Sequence, residues 1–454
     1  MTLERVETRS LYGSSAAADM QREWLTGGDV PVAVYGLGKM GLPLAAVYAE
    51  ETGSVTGVDV DESVVDAVNQ GRSHVENEPG LASMVAEAVA AGNLWATSDS
   101  QSGAAASSVH VVIVPTTLAD DRTADLSALL EVIRAIGAGL SEGDLVVVES
   151  TVPPGTCRDV VVPLLEVESD LSVGEFGVAF CPERTSSGRA IRDIRSAYPK
   201  VVGGVDAEST RTAALIYGEL TSNDVIPVAD ATTAEAVKLF EGVYRDVNIA
   251  LANELARFAD DLGVDTIEAS DVANTQPFCD IHDPGVGVGG HCIPFYPYFL
   301  MQVLGGEAPL VRTARAVNDS MPGFTASKLL DGLVRAGIEP AAATVAVLGI
   351  AYRPGVPETR ASPALPLVDR LRAAGVTVVA VDPILDSVPD LDVPLLSIEE
   401  LHQQSLDGAV LVTAHREFDR IDWTAFRDLV VVDGRDALDL AETGHAVYTI
   451  GRCR

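Results

Sequence analysis

The sequence predicts an α/β fold: two doubly wound sheets joined by a central helical domain with one long helix. Three observations predict it. Short apolar runs alternate with helical stretches from Pro31 to Gly204, a proline-free stretch follows from Thr232 to Leu262, and a second alternation starts at Thr344. Alternating strands and helices build parallel sheets covered by helices on both faces. A chain of 454 residues has room for two or three domains. The expected divisions are a polar N-terminal extension over 1–29, a first α/β domain over 30–225, a helical domain over 226–338 and a second α/β domain over 339–454.

The extension carries Glu4, Arg5, Glu7, Arg9 and Asp19 and no apolar signal core, the pattern of a cytoplasmic protein. Whether it packs on the body is open from sequence alone. The first strand is Pro31 to Tyr35. Gly36-Leu-Gly38-Lys-Met40-Gly41 follows it, then a helix from Leu42 to Glu51 and a strand from Val55 to Asp59. This is a Rossmann-like strand–GxGxxG–helix–strand–acid unit. Gly36 permits the tight turn, Gly38 lets a pyrophosphate approach the backbone, and Gly41 allows close helix–strand packing. The helix N-terminus faces the phosphates. Asp59 stands where the ribose-binding acid belongs, and its charge repels a 2′-phosphate, so NAD is preferred over NADP.

Further strands are expected at Val109–Val114, Leu145–Glu149, Gly177–Cys181 and Val201–Gly204, the last closing the series, with a helix over Leu126–Leu140. Loops at the carboxyl ends of such strands carry function. Thr117, Thr151 and Glu183 all sit there; each alone could be a turn residue, and together they line a site. The helix expected over Thr232–Leu262 has apolar residues around much of its circumference, as if buried by other elements or by a second subunit. It also carries Lys238, Arg245 and Asn248. Lysine occurs only at 39, 200, 238 and 328, which favours a site role for Lys238 over a solvated one.

Gly285-Val-Gly287-Val-Gly289-Gly290-His291-Cys292 comes next. Its glycines permit left-handed backbone and close approach to a ligand. Cys292 is a candidate nucleophile, since a thiolate in an oriented polar setting is reactive; a structural turn with a small cysteine is the alternative. A helix is expected over Ala314–Val334 with a break near Pro322. The second sheet is expected from Thr344–Gly349, Val376–Val381, Gly408–Thr413 and Leu429–Asp433. The loop after its first strand offers Arg353 and Arg360, either for phosphates or for surface ion pairs.

The formal net charge is −35, from 66 acidic and 31 basic residues. That field opposes binding to nucleic acid or an anionic membrane. Acid-rich, lysine-poor surfaces keep proteins soluble where salt screens charge at short range, so a halophilic source is expected. The five cysteines are scattered with no Cys-x-x-Cys pair, which fits a reducing compartment and argues against a disulfide framework. No His/Cys/Asp cluster has ligand spacing, so no metal is expected.

With these motifs assembled, the chain resembles the UDP-glucose/GDP-mannose dehydrogenase family from Val32 onward. The resemblance rests on Gly36–Gly41, Ser150-Thr-Val-Pro-Pro-Gly155, Cys181-Pro-Glu-Arg184, Lys238, Gly289-Gly-His-Cys292, Arg353-Pro354 and Arg360-Ala-Ser-Pro363. Cys181–Arg184, Tyr244–Ile249 and the Gly-Gly-His-Cys-Ile run look like the branch acting on UDP-N-acetylhexosamines, UDP-N-acetyl-D-mannosamine especially. The resemblance implies four-electron oxidation of sugar carbon 6 to a uronic acid with NAD, for polysaccharide biosynthesis, by a homodimer built across the helical section.

It also implies roles. Cys292 would carry a thiohemiacetal and then a thioester, Lys238 would stabilise oxyanions, and Thr151 and Glu183 would position water or move protons. The expected cofactor contacts are Gly36, Gly38, Met40, Gly41, Asp59, Thr117 and Thr151. The expected substrate contacts are Glu183, Arg184, Lys238, Arg245, Asn248, Gly289, His291 and Arg353. His291 either favours the thiolate or is structural. Two departures stand out: many members carry asparagine four residues after the lysine and aspartate four after the cysteine, where this chain has Gly242 and Tyr296. Alternatives are UDP-N-acetylglucosamine or UDP-glucose as substrate, a two-electron hydroxyacid dehydrogenase, and a noncatalytic nucleotide-sugar sensor.

Overall fold

The computed structural model describes residues 9–389 and 391–453. They form two compact units, one running through Phe240 with Tyr298–Val303, the other comprising Glu241–Pro297 and the chain from Leu304 onward. Residues 1–8 of the expected extension lie outside the described residues. The remainder of the extension packs: it holds helix α1 (Ala18–Thr26), and Leu11, Tyr12 and Leu25 are buried. Tyr12 lies where any side chain at Gly177 would collide with its ring, 2.5 Å from a Cβ placed there. Its hydroxyl donates to Asp206 at 2.8 Å.

The first unit is built on β1 (Val32–Tyr35), β2 (Val55–Val58), β3 (Leu94–Thr97), β4 (Val109–Val112), the hairpin β5 (Thr117–Leu118) with β6 (Ala124–Asp125), β7 (Leu145–Val148), β8 (Gly177–Phe180), β9 (Lys200–Gly204) and β10 (Val225–Pro227). The eight-stranded sheet runs β10-β9-β8-β7-β4-β1-β2-β3. The strand order reverses direction beside β1, which creates the crevice where dinucleotides bind in such sheets. β1, β4 and β7 are buried along their whole length, as expected of strands covered on both faces. The glycine loop leads into α2 (Gly41–Thr52).

Two expectations for this sheet need correction. The series does not close at Gly204, because β10 pairs beyond β9, and β9 itself runs antiparallel to β8. β3 was not expected at all. It is an edge strand of four residues with Trp95 exposed, and β10 contains Pro227, tolerated at a sheet edge. Both are short, four residues for β3 and three for β10.

The long helix is α3 (Ala231–Arg257). It stops short of the expected Leu262: the chain tightens at Phe258, whose N–H bonds the Leu255 carbonyl. A separate turn, Ala259–Leu262, follows. A short helix, α4 (Tyr296–Val303), leads to α5 (Pro309–Arg335). α5 starts earlier than expected, with proline in its first turn, and runs unbroken through the buried Pro322. Proline there deprives the Asn318 carbonyl of its helical partner. Gly287 packs at this spot, close to both the Asn318 oxygen and the Pro322 ring.

The second sheet holds β11 (Thr344–Leu348), β12 (Thr377–Val381), β13 (Leu395–Leu396), β14 (Gly408–Leu411), β15 (Val430–Asp433) and β16 (Ala446–Thr449). Its order is β13-β12-β11-β14-β15-β16, all parallel. The edge strands β13 and β16 add to the four expected. Apolar clusters cover both faces, one including Leu329, Val347 and Val410, the other Leu348, Phe418 and Val431. This sheet begins as the first does. Gly36 N–H bonds the Val58 carbonyl and Leu37 N–H the Asp59 carboxylate; Gly349 N–H bonds the Val381 carbonyl and Ile350 N–H the Asp382 carboxylate. No helix among the described residues is long and apolar enough to cross a membrane.

Candidate active site

In the first unit the glycine loop is pinned to its acid. Asp59 accepts the Leu37 N–H at 2.7 Å through one oxygen and the Asp61 N–H at 3.0 Å through the other. Gly36 has φ +93°, and a Cβ on Gly41 would lie 1.8 Å from the Gly36 oxygen, so both must be glycine. Gly38 is different: a Cβ there would meet nothing within 4 Å. The space over Gly38 and the start of α2, with Met40 as its cap, fit a pyrophosphate laid against backbone and a helix N-terminus. Thr117 is half-buried in the hairpin after β4. The loops after β4 and β7 are stitched together: Thr116 donates to the Thr151 carbonyl at 2.8 Å and Ser150 to the Val114 carbonyl at 2.7 Å.

Thr151 is buried. The loop that follows it is held from α3, because Glu235 accepts the Gly155 N–H at 2.5 Å and the Cys157 N–H at 2.8 Å. One turn along α3, the buried Lys238 donates to the Glu183 carbonyl and lies 3.4 Å from its carboxylate. Thr185 donates to the other Glu183 oxygen at 2.5 Å. Burial alone would push the Glu183 carboxyl up; the Lys238 charge and the Thr185 hydroxyl and N–H outweigh it and hold it below the usual range. Glu183 and Lys238 are therefore paired, and the loop that follows Thr151 is held by Glu235 one turn away on α3. Behind it, burial pushes Glu149 up while Tyr217 donates to it at 2.5 Å. Arg184 donates to the Pro199 carbonyl at 2.9 Å and lies over Tyr198.

In the second unit the glycine–cysteine loop is packed at every glycine. A Cβ on Gly285 would lie 2.4 Å from Arg435, on Gly287 3.0 Å from Pro363, on Gly289 2.8 Å from Tyr352, and on Gly290 2.9 Å from the Tyr352 ring. The loop is hung from a buried polar network: Asn253 accepts the Gly285 N–H at 2.8 Å and donates to Asn318, which donates to Asp246. Arg315 completes it by bonding Asp246. Cys292 is exposed, and its carbonyl accepts the N–H groups of Phe295 and Tyr296 at 3.0 Å as α4 begins. His291 pairs with Glu358 at 2.9 Å. Arg353 is exposed on the same 350–363 loop. Arg245 is exposed on α3, and Asn248 donates to the Tyr244 carbonyl. Gly242 and Tyr296 meet: a Cβ on Gly242 would lie 2.4 Å from the Tyr296 ring.

Sequence reasoning passed over Glu235 and Tyr352, and noted Asn253 on the long helix without giving it a role. Each acts on residues distant in sequence, and only the pairing of buried polar residues with glycine-rich loops could have marked them. Among the described residues no group of His, Cys, Asp or Glu is placed to hold a metal ion.

A glycine loop pinned to its acid at the mouth of a largely parallel sheet marks a dinucleotide-binding α/β domain. Family models cover three stretches: the NAD binding domain of the UDP-glucose/GDP-mannose dehydrogenase family at 30–221, its central domain at 232–320 and its UDP binding domain at 346–440. The chain belongs to the UDP-glucose/GDP-mannose dehydrogenase family and is a nucleotide-sugar dehydrogenase. It is 37% identical over 427 residues to a UDP-N-acetyl-D-mannosamine dehydrogenase of Pyrococcus horikoshii, covering 93% of this chain and 99% of that one. It is 36% identical over 414 residues to an NDP-N-acetyl-D-galactosaminuronic acid dehydrogenase of Ralstonia nicotianae, covering 89% and 95%. The solved structure of the Pyrococcus horikoshii UDP-D-ManNAc dehydrogenase superposes with a TM-score of 0.85 at 36% identity, over 93% of this chain and 99% of that chain.

Proposed function

We propose that this chain oxidises carbon 6 of a UDP-N-acetylhexosamine, UDP-N-acetyl-D-mannosamine first, to the uronic acid through a covalent cysteine adduct. The relatives named for UDP-N-acetyl-D-mannosamine support the substrate. The observation that carries the chemistry is Lys238, one of four lysines, buried against an ionised Glu183 beside the Thr151 loop. NAD, when bound, takes one hydride in each of two oxidations. The Cys292 thiolate adds to the aldehyde left by the first and becomes a thioester in the second. Lys238 neutralises the oxyanion at each addition. Glu183 and Thr151 orient the water that hydrolyses the thioester, releasing the acid and restoring the thiol. Arg353, His291, Arg184, Arg245, Asn248 and Gly289 contact the substrate, and Asp59, Thr117 and the glycines Gly36, Gly38 and Gly41 with Met40 hold the cofactor. Functionally we divide the body at 30–225, 226–338 and 339–454.

Tyr296 fills the volume over Gly242, so the hydrolytic water is held without the asparagine–aspartate pair of many relatives. That same observation favours a second reading, a nucleotide-sugar sensor that binds without turnover. The test is NADH yield per limiting sugar in high potassium chloride, with UDP-N-acetylmannosamine, UDP-N-acetylglucosamine and UDP-glucose as donors. Two NADH per sugar supports the proposal and names the donor. One NADH places the halt before hydrolysis, and binding without NADH selects the sensor.

We also propose a cytoplasmic homodimer through α3, whose Phe240, Tyr244 and Leu251 remain exposed, as does Phe258 just beyond its end; light scattering of Leu251→Asp should return a monomer. The acidic, lysine-poor surface supports a halophilic source, which activity in dilute buffer equal to that in concentrated salt would refute.

A further inference from the structure

The loop between β11 and α5's partner helix Ala364–Ala373, residues 350–363, carries Arg353 within the UDP binding domain. The same loop grips the nucleophile loop at three points. Gly290 N–H donates to the Arg360 carbonyl at 2.8 Å. His291 pairs with Glu358 at 2.9 Å. The Tyr352 side chain lies on both glycines: a Cβ on Gly289 would come 2.8 Å from the Tyr352 Cβ, and one on Gly290 2.9 Å from its ring. Gly290 has φ +97°, a backbone conformation that residues with a side chain rarely adopt.

The gripping loop is itself braced. Tyr352 N–H bonds the Glu358 carbonyl at 2.9 Å, Glu358 N–H bonds the Val356 carbonyl at 2.8 Å, and Arg353 bridges to Val356. Its root is anchored, since Ile350 and Ala351 both donate to Asp382. A force applied at Arg353 therefore reaches Gly290 through a short, hydrogen-bonded segment rather than a slack chain. The His291–Glu358 pair is part-exposed and by itself worth little; the packing of Tyr352 on two glycines supplies the shape.

We propose that Tyr352 and Glu358 are positioning residues for Cys292, and that the nucleoside diphosphate half of the substrate acts through them to hold the nucleophile loop. This rests on the reading of Arg353 as a substrate-binding residue. Binding energy from the nucleotide, remote from carbon 6, is thereby spent on placing the thiol.

UDP itself is the probe. Hydrogen exchange of the segment 285–293 is followed by mass spectrometry with and without saturating UDP, and UDP affinity is measured by calorimetry. In the wild type UDP should slow exchange about fivefold or more as local opening is suppressed. Tyr352→Ala should bind UDP within about threefold of wild type yet lose most of that protection, and its kcat should fall about tenfold with KM little changed. Tyr352→Phe, which keeps the ring, should retain both protection and kcat. Glu358→Gln should give an intermediate loss. The proposal is overturned if wild type binds UDP with no change at 285–293, or if Tyr352→Ala keeps full protection, which would mean that UDP shields the loop directly. Failure of wild type to bind UDP at all would instead remove the substrate reading of Arg353, and this proposal with it.

Discussion

Replacing Gly242 by alanine tests how the Tyr296 ring is seated. The new Cβ would stand 2.4 Å from one ring carbon of Tyr296, 3.2 Å from the next and 3.3 Å from the Tyr296 Cβ. Tyr296 is 8% exposed, so its ring has little room to retreat. Overpacking of this kind costs about 1–3 kcal/mol. Against it stands the gain of about 1 kcal/mol from alanine over glycine in a helix interior. The net expectation is a loss of about 0–2 kcal/mol, each kcal/mol lowering the thermal midpoint by about 2–4 °C for a unit of this size. The assay is a double-mutant cycle with Tyr296→Ala, which removes the ring and opens a cavity of its own. In that background Gly242→Ala should become neutral or stabilising, giving a coupling of about 1–3 kcal/mol. A stabilising Gly242→Ala in the wild-type background would refute the reasoning, since the ring would then have to move at no cost. The same geometry predicts that Gly242→Asn alone yields damaged enzyme, while Gly242→Asn with Tyr296→Asp is accommodated.

Glu183 is held below the usual carboxylate range by Lys238 and Thr185 against its burial. Its folded value lies below its unfolded one, so its stabilising contribution is present above the unfolded value of about 4.3 and is lost as pH falls through the folded value. Lys238→Met should shift that acid-side loss to higher pH in urea midpoints taken across the range; an unmoved profile would separate the two residues. Asp59→Ala should raise NADP use relative to NAD and weaken NAD binding, because the Leu37 N–H loses its acceptor; an unchanged ratio of kcat/KM values would contradict this. Glu235→Ala leaves two buried N–H groups of the Thr151 loop unpaired, each costing about 1–3 kcal/mol. Its kcat should fall with little change in UDP affinity, and an intact kcat would show that the loop holds its shape unaided.

Much of this arrangement is written locally. The strand, Gly36–Gly41 and Asp59 specify one another within thirty residues, and the pinned loop follows from that pattern. The loops bearing Thr151 and Glu183 are legible because Leu145–Val148 and Gly177–Phe180 are unmistakably buried strands. What escapes the sequence is whatever depends on distant partners. Glu235 reads as one more acid in an acidic chain, and only the fold shows it capping a loop 80 residues away. Pro322 reads as a helix break, yet α5 runs on through it, with Gly287 packed near the Asn318 carbonyl that it leaves without a helical partner. Gly242 and Tyr296 read separately as losses; in space they are a matched pair, a small residue beneath a large one. Short edge strands such as β3 and β13 carry too few apolar residues to announce themselves.

The central claim is a sugar held covalently on Cys292. The most direct measurement is acid-quenched single turnover with UDP-N-acetyl-D-mannosamine and NAD, followed by peptide mass spectrometry of the Gly285–Pro297 segment. The account predicts a transient thioester mass on Cys292 that decays as uronate appears, and its absence from Cys157, Cys181, Cys279 and Cys453. Uronate formed at full yield with Cys292 unmodified throughout, or formed equally well by Cys292→Ala, would contradict it.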